Sequence, residues 1–150
     1  MRILIDADAC PVTRIAEKVA ENYNIELIIY CDVNHIMKSD YGKVITCDAG
    51  ADSVDLKLIN SSQKGDIIIT QDYGVAALAL GKGAYPIHQS GKIYSDGNID
   101  GLLYDRHIGK KMRNSGKKTH LKGPKKRTEE DDKNFEASLI NLINRINTSL

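Results

Sequence analysis

The sequence contains no apolar run near the ~20 residues that a membrane-spanning helix requires. No charged and then apolar leader with a small-residue cleavage site precedes its first apolar segment. Its three cysteines, Cys10, Cys31 and Cys47, are odd in number and form no CxxC pair, which argues against a disulfide framework and a structural zinc site. These absences favour a cytoplasmic protein. The length of 150 residues fits one domain with a core of its own.

The basic residues are concentrated in one segment. Residues 1–105 carry a net charge of −6, residues 106–128 carry +10 with no acidic residue, and residues 129–150 carry −3. Such a block of like charge is ordinarily a solvated loop, and contact with phosphates is the functional alternative. The candidate nucleic-acid-binding residues are Arg106, Lys110, Lys111, Arg113, Lys117, Lys118, Lys122, Lys125, Lys126 and Arg127. Since no aromatic residue interleaves with them, any contacts to a nucleic acid are expected to be made to its backbone and to be independent of base sequence.

The apolar pattern predicts an α/β fold. Short continuous apolar runs bounded by polar residues are typical of parallel strands that are buried on both faces, and they predict strands at 2–5, 25–31, 43–47, 66–70 and 84–88. Apolar residues at helical spacing follow several of these strands, beginning near Pro11, at 51–60, after Asp72 and at 98–113. A last helix, starting at Thr128, carries an apolar stripe formed by Phe135, Leu139, Leu142, Ile143 and Ile146.

Aspartates stand where the predicted strands end. Asp6 and Asp8 follow the first strand, Asp72 follows the fourth, and Asp52 and Asp55 open the second helix. Because the carboxyl ends of parallel strands meet at one edge of a sheet, these carboxylates can converge, and their repulsion is costly unless a cation or shared protons neutralise it. A divalent-metal site is therefore predicted. Ordinary helix capping by Asp8 or Asp72 remains open, as does a favourable placement of Asp52 and Asp55 on the helix dipole.

Four segments of the chain resemble a known family. Residues 5–12, 50–55, 65–73 and 122–125 resemble the bacterial UPF0178, or DUF188, family, and the likeness runs over nearly the whole chain. The resemblance implies a PIN-like fold related to the NYN and PIN ribonucleases, with three layers and a mostly parallel central sheet flanked by helices. Over 1–150 we expect one domain of this type, in which the basic segment 106–128 is followed by a C-terminal helix at 129–150 packed on it.

The resemblance also implies a role for the aspartates. PIN-like nucleases carry an acid after the first strand, an acid in a central helix, and a Thr/Ser-x-Asp after a later strand. We therefore expect a ribonuclease that depends on Mg²⁺ or Mn²⁺. The expected catalytic residues are Asp6, Asp8, Asp52, Asp55, Thr70 and Asp72. The expected metal ligands among them are Asp6, Asp8, Asp55 and Asp72, and either Asp52 or Asp55 is the helix acid.

Two other functions stay open. A non-catalytic RNA-binding or ribosome-associated module would keep the fold and use the basic segment. A phosphatase of the haloacid-dehalogenase type would use Asp6 as a covalent nucleophile and Asp8 as acid and base, although Cys10 stands where that chemistry expects Thr or Val. Of the three cysteines, Cys10 is the one whose position makes it a candidate reactive thiol. No histidine is an obvious base for it.

Overall fold

The computed structural model describes residues 1–8, 10–50, 53–114 and 125–149. Strands and helices largely alternate along these residues. Their order is β1 (Arg2–Asp6), α1 (Thr13–Asn22), β2 (Glu26–Asp32), β3 (Lys43–Cys47), α2 (Ser53–Ser61), β4 (Ile67–Ile69), α3 (Tyr73–Gly81), β5 (Tyr85–Ile87), α4 (Ile99–Asn114) and α5 (Glu129–Thr148). Across the described ranges, none of the helices has the length and apolar character needed to cross a membrane.

The five strands form one sheet in the order β3-β2-β1-β4-β5, and all neighbouring pairs are parallel. β1 lies at the centre, where Ile5 pairs with Ile29 on one side and Ile69 on the other. Residues 3–5 of β1 and 67–69 of β4 are almost completely buried, since helices cover both faces of these strands. The predicted α/β fold, with a parallel central sheet flanked by helices, is confirmed.

Helices on both sides of the sheet make three layers. One face, with Ile3, Ile5 and Ile69, packs against α1 and α5 in a single apolar cluster. The opposite face, with Leu4 and Ile68, packs against α2 and α3. α4 joins through a smaller apolar cluster that it shares with α3, so its position is set by α3 rather than by the sheet.

α5 completes the first of these clusters. All five residues of the predicted stripe, Phe135, Leu139, Leu142, Ile143 and Ile146, are buried, which confirms the last helix and its apolar face. A capping box begins the helix: the Thr128 side chain accepts from the Asp131 backbone N–H, and the Asp131 carboxylate accepts from the Thr128 backbone N–H. The preceding Arg127 donates to the carbonyl of Gln89 at 3.0 Å and to Asp132 at 2.7 Å, which ties the start of α5 to the end of β5.

Some predicted boundaries were wrong by a few residues. The first helix begins at Thr13 with Val12 as its N-cap, so Pro11 precedes the helix instead of opening it. β4 spans Ile67–Ile69 and is one residue shorter than predicted at each end. The buried carboxylate of Asp66, just before the strand, accepts from Arg2 at 2.6 Å and from the Gln63 backbone N–H at 2.9 Å. Asp66 therefore serves the fold at the edge of the sheet opposite to the other aspartates.

Candidate functional site

Three carboxylates from three different elements line one cavity. Asp6 ends β1, Asp72 follows the neighbouring β4, and Asp55 lies in the first turn of α2. Together with Gln71, Tyr73 and Arg106 they surround a space of about 260 Å³. The cavity opens where β1 and β4 meet and their connections leave in opposite directions, which is the usual place for a ligand crevice in an open parallel sheet.

The carboxyl groups of Asp6 and Asp55 are hydrogen-bonded to each other. Such a contact requires a proton between them, because two ionised carboxylates are acceptors only. Burial and the hydrogen bond with Asp55 raise the pKa of Asp6 from its ordinary 3.8 to about 7, while the Asp8 backbone N–H, which donates to Asp6 Oδ1 at 3.1 Å, acts in the opposite direction. The surroundings of Asp6 thus disfavour an uncompensated negative charge, which a proton or a cation would relieve.

Asp72 has two roles at once. Its Oδ1 accepts from the backbone N–H groups of Gly74 at 2.7 Å and Val75 at 3.1 Å, and so caps α3. Its own backbone N–H donates to Thr70 Oγ1 at 3.0 Å, and the carbonyl of this buried threonine accepts from the Tyr94 hydroxyl at 3.2 Å. Helix capping therefore does not remove Asp72 from the cavity; it fixes the orientation of the carboxylate, and Oδ2 is the oxygen that can serve a ligand.

Asp8 does not line this cavity. One of its carboxylate oxygens groups with Asp32, at the end of β2, and with His35, the three ligand-type atoms lying within 4.8 Å of one another. Asp32 accepts from the Asn34 backbone N–H at 2.7 Å and contacts His35 Nδ1 at 3.0 Å. Asp8 Oδ1 is buried and has no hydrogen-bond partner among the described residues. No role was predicted for Asp32 or His35, although Asp32 ends an apolar run just as Asp6 does.

Asp52 lies outside the described residues, so only Asp55 can be placed as the helix acid.

A profile of the DUF188 family, described as "Uncharacterized BCR, YaiI/YqxD family", matches residues 4–145. The chain belongs to the UPF0178 (DUF188) family. UPF0178 proteins of three clostridia illustrate how close the likeness is. The protein of Clostridium acetobutylicum is 56% identical over 145 residues, which cover 97% of this chain and 98% of the relative.

The UPF0178 protein of Clostridium kluyveri is 53% identical over 143 residues, covering 95% of this chain and 93% of the relative. That of Clostridium novyi is 51% identical over 145 residues, covering 97% and 96%. No solved structure matches the chain. The likeness to these three relatives therefore covers at least 95% of this chain and at least 93% of each relative.

The basic residues of this UPF0178 chain fall into three groups. Arg106, Lys110, Lys111 and Arg113 lie on α4 and are exposed, as are Lys125 and Lys126 just before α5. Arg127 is half-buried and held by Gln89 and Asp132. Lys117, Lys118 and Lys122 lie outside the described residues. Arg106 differs from the others on α4, because its Nη1 lies 3.6 Å from Asp72 Oδ1 in the acidic cavity.

Cys10 is half-buried where the chain passes from β1 towards α1. Burial raises the pKa of its thiol, and the thiol form is the less reactive one. The surroundings of Cys10 therefore disfavour the thiolate that a reactive cysteine needs.

Proposed function

We propose that this UPF0178 chain is a ribonuclease of the PIN-like type that depends on Mg²⁺ or Mn²⁺. The observation that supports the proposal is the convergence of Asp6, Asp55 and Asp72, each delivered by a different element, on one cavity. This is the arrangement that the resemblance to PIN and NYN ribonucleases implies: an acid after the first strand, an acid in a central helix and a Thr-x-Asp after a later strand.

The residues of the cavity fit a hard divalent cation. Carboxylate oxygens are the ligands that Mg²⁺ and Mn²⁺ prefer, and Mg²⁺ commonly takes only one or two from protein while phosphates and water supply the rest. Burial and the contact with Asp55 raise the pKa of Asp6, so a cation at this site would relieve an unfavourable negative charge. Asp6, Asp55 and Asp72 Oδ2 would hold the ion, and the buried Oδ1 of Asp8 is a further oxygen of this edge. A bound cation supplies an activated water and stabilises charge on the phosphate.

The chain's own residues provide the rigidity that such a site needs. Thr70 holds the backbone of Asp72, Tyr94 holds Thr70, and the N–H groups of α3 hold Asp72 Oδ1. A carboxylate fixed in this way loses little freedom when it binds a ligand. The exposed cations of α4, with Lys125 and Lys126, would neutralise the flanking phosphates of an RNA strand.

The same geometry bears on the phosphatase alternative. That chemistry brings Asp6 and Asp8 to one substrate as nucleophile and acid. Here Asp8 groups with Asp32 and His35, while Asp6 lines the cavity with Asp55 and Asp72. The arrangement favours the nuclease.

Cleavage of a panel of labelled RNAs with Mn²⁺ tests the proposal. The wild type is compared with the Asp6→Asn/Asp72→Asn double variant and with Asp96→Asn, which removes an exposed carboxylate outside the cavity. We expect cleavage by the wild type and Asp96→Asn and none by the double variant. RNA that is bound by all three and cut by none would support the binding module. Release of phosphate from small monoesters with the RNA left intact would support the phosphatase.

A further inference from the structure

Arg106 places a positive group in an otherwise acidic cavity. Of the cations in the described ranges, it alone lines the space between Asp6, Asp55 and Asp72. Its side chain is 56% exposed and that of Asp72 is 34% exposed, and the two charged groups are 3.6 Å apart. An ion pair of this length and exposure contributes little to stability, so it can be exchanged for another anion at small cost.

The helix that carries Arg106 is anchored. Ile99 at its start packs with Ala76 of α3 and with Tyr94, and Leu102 and Leu103 lie against the same cluster. The Asn98 side chain fixes the turn before the helix, accepting from the Ser95 backbone N–H and donating to the Ile93 carbonyl. Arg106 therefore approaches the cavity from a defined direction and is part of its wall.

The neighbouring cations of α4 face elsewhere. Lys110 and Lys111 line a separate hollow of about 530 Å³ with His107 and Asn114, and neither lines the acidic cavity. Although all of these residues belong to the same basic segment, Arg106 is the one whose charge lies beside the carboxylates. A guanidinium offers paired N–H donors that match a phosphate, which a lysine does not.

We propose that Arg106 binds the reacting phosphate of the substrate inside the acidic cavity and leaves Asp72 when the phosphate enters. Without substrate, the guanidinium offsets part of the repulsion among the three carboxylates; with substrate, it moves to the phosphate and leaves Asp72 to a cation. The lysines of α4 contact only phosphates that flank the reacting one. This inference rests on the proposed function, since it assigns a role within that site.

A ligand with a single phosphodiester separates contacts to the reacting phosphate from contacts to flanking phosphates. We would titrate the dinucleoside monophosphate uridylyl-uridine, followed by NMR, into the wild type and into Arg106→Ala, Arg106→Lys and Lys110→Ala, with Ca²⁺ present as the oxygen-binding cation. Loss of a hydrogen-bonded charge should weaken binding about tenfold in Arg106→Ala, with partial recovery in Arg106→Lys. Lys110→Ala should bind as the wild type does, because this ligand has no flanking phosphate.

Several results would overturn the assignment. Equal weakening by Arg106→Ala and Lys110→Ala would make Arg106 an ordinary backbone contact, and absence of saturable binding by the wild type would remove the phosphate site. The titration measures binding and not cleavage, so its result can be interpreted even if the protein cuts no RNA. Where RNA is cut, Arg106→Ala should lower kcat, whereas Lys110→Ala should raise KM alone. An unchanged kcat in Arg106→Ala would refute the inference and leave the proposed nuclease standing.

Discussion

Metal-free protein should lose stability as the pH rises towards 8, and Asp6→Asn should remove most of that loss. Asp6 is half-buried, and its contact with Asp55 helps to raise its pKa to about 7, against 3.8 for an ordinary aspartate. At a pH between these two pKa values, the folded protein binds more protons than the unfolded chain. The free energy of unfolding therefore falls as the pH rises. The stabilising contribution is complete below about pH 4 and is lost as the pH passes through about 7.

The size of the effect follows from the same values. The rise in pKa corresponds to about 4 kcal/mol at ~1.4 kcal/mol per pH unit. Because Asp6 keeps part of its exposure to solvent, which screens the charges, we expect roughly half of this, ~2 kcal/mol. Asparagine cannot ionise and can donate its amide to Asp55. Asp6→Asn should therefore be ~2 kcal/mol more stable than the wild type at pH 8 and similar to it at pH 4.

Urea denaturation followed by circular dichroism, in EDTA at pH 4 and pH 8, measures the difference. Asp96→Asn serves as the control for removal of one negative charge. A variant Asp6→Asn that is no more stable than the wild type at pH 8, or whose advantage is the same at both pH values, would refute the reasoning. Mn²⁺ added at pH 8 should raise the wild-type midpoint and leave that of Asp6→Asn nearly unchanged, since a ligand stabilises only the state that binds it.

Three further predictions concern stability and can be measured by the same denaturation assay. Arg2→Ala should lower the free energy of unfolding by about 3 kcal/mol because it leaves the buried carboxylate of Asp66 without its charged partner; a loss below 1 kcal/mol would contradict this. Gly91→Ala should cost about 2 kcal/mol, since this glycine has φ +93° and an added Cβ would meet the α5 backbone at 2.9 Å, whereas Gly101→Ala in α4 meets open space and should be neutral or stabilising. Thr128→Ala should cost ~1 kcal/mol and Thr128→Ser much less, because serine keeps the capping box.

The sequence was sufficient for the fold because the parallel strands of this sheet are apolar on both faces. Ile67, Ile68 and Ile69 form a strand whose pattern needs no tertiary information, and the stripe of α5 likewise shows its buried side. Boundaries were less well predicted. Pro11 fits the first turn of a helix by its geometry, yet the chain turns once more before α1 begins at Thr13.

The edge of the sheet at which these aspartates lie could be predicted from the sequence. Which of them lie close together could not. Asp6 and Asp8 were both expected among the metal ligands, and alternate residues of a strand do share a face. However, β1 ends at Asp6, so this rule does not extend to Asp8. Asp8 consequently reaches Asp32 and His35. The position of Arg106 depends on how α4 packs against α3, and no local pattern in the sequence carries that information.

The first strand and the last helix share one apolar cluster, and this has a consequence for synthesis on the ribosome. Phe135, Leu139 and Ile143 pack in the same core as Ile3 and Ile5, more than 120 residues earlier in the chain. Until α5 has left the exit tunnel, α1 is the only helix of the described ranges that covers this face of the sheet. A nascent chain of this protein should therefore remain open to chaperones and proteases until α5 emerges, and only then close into the native domain.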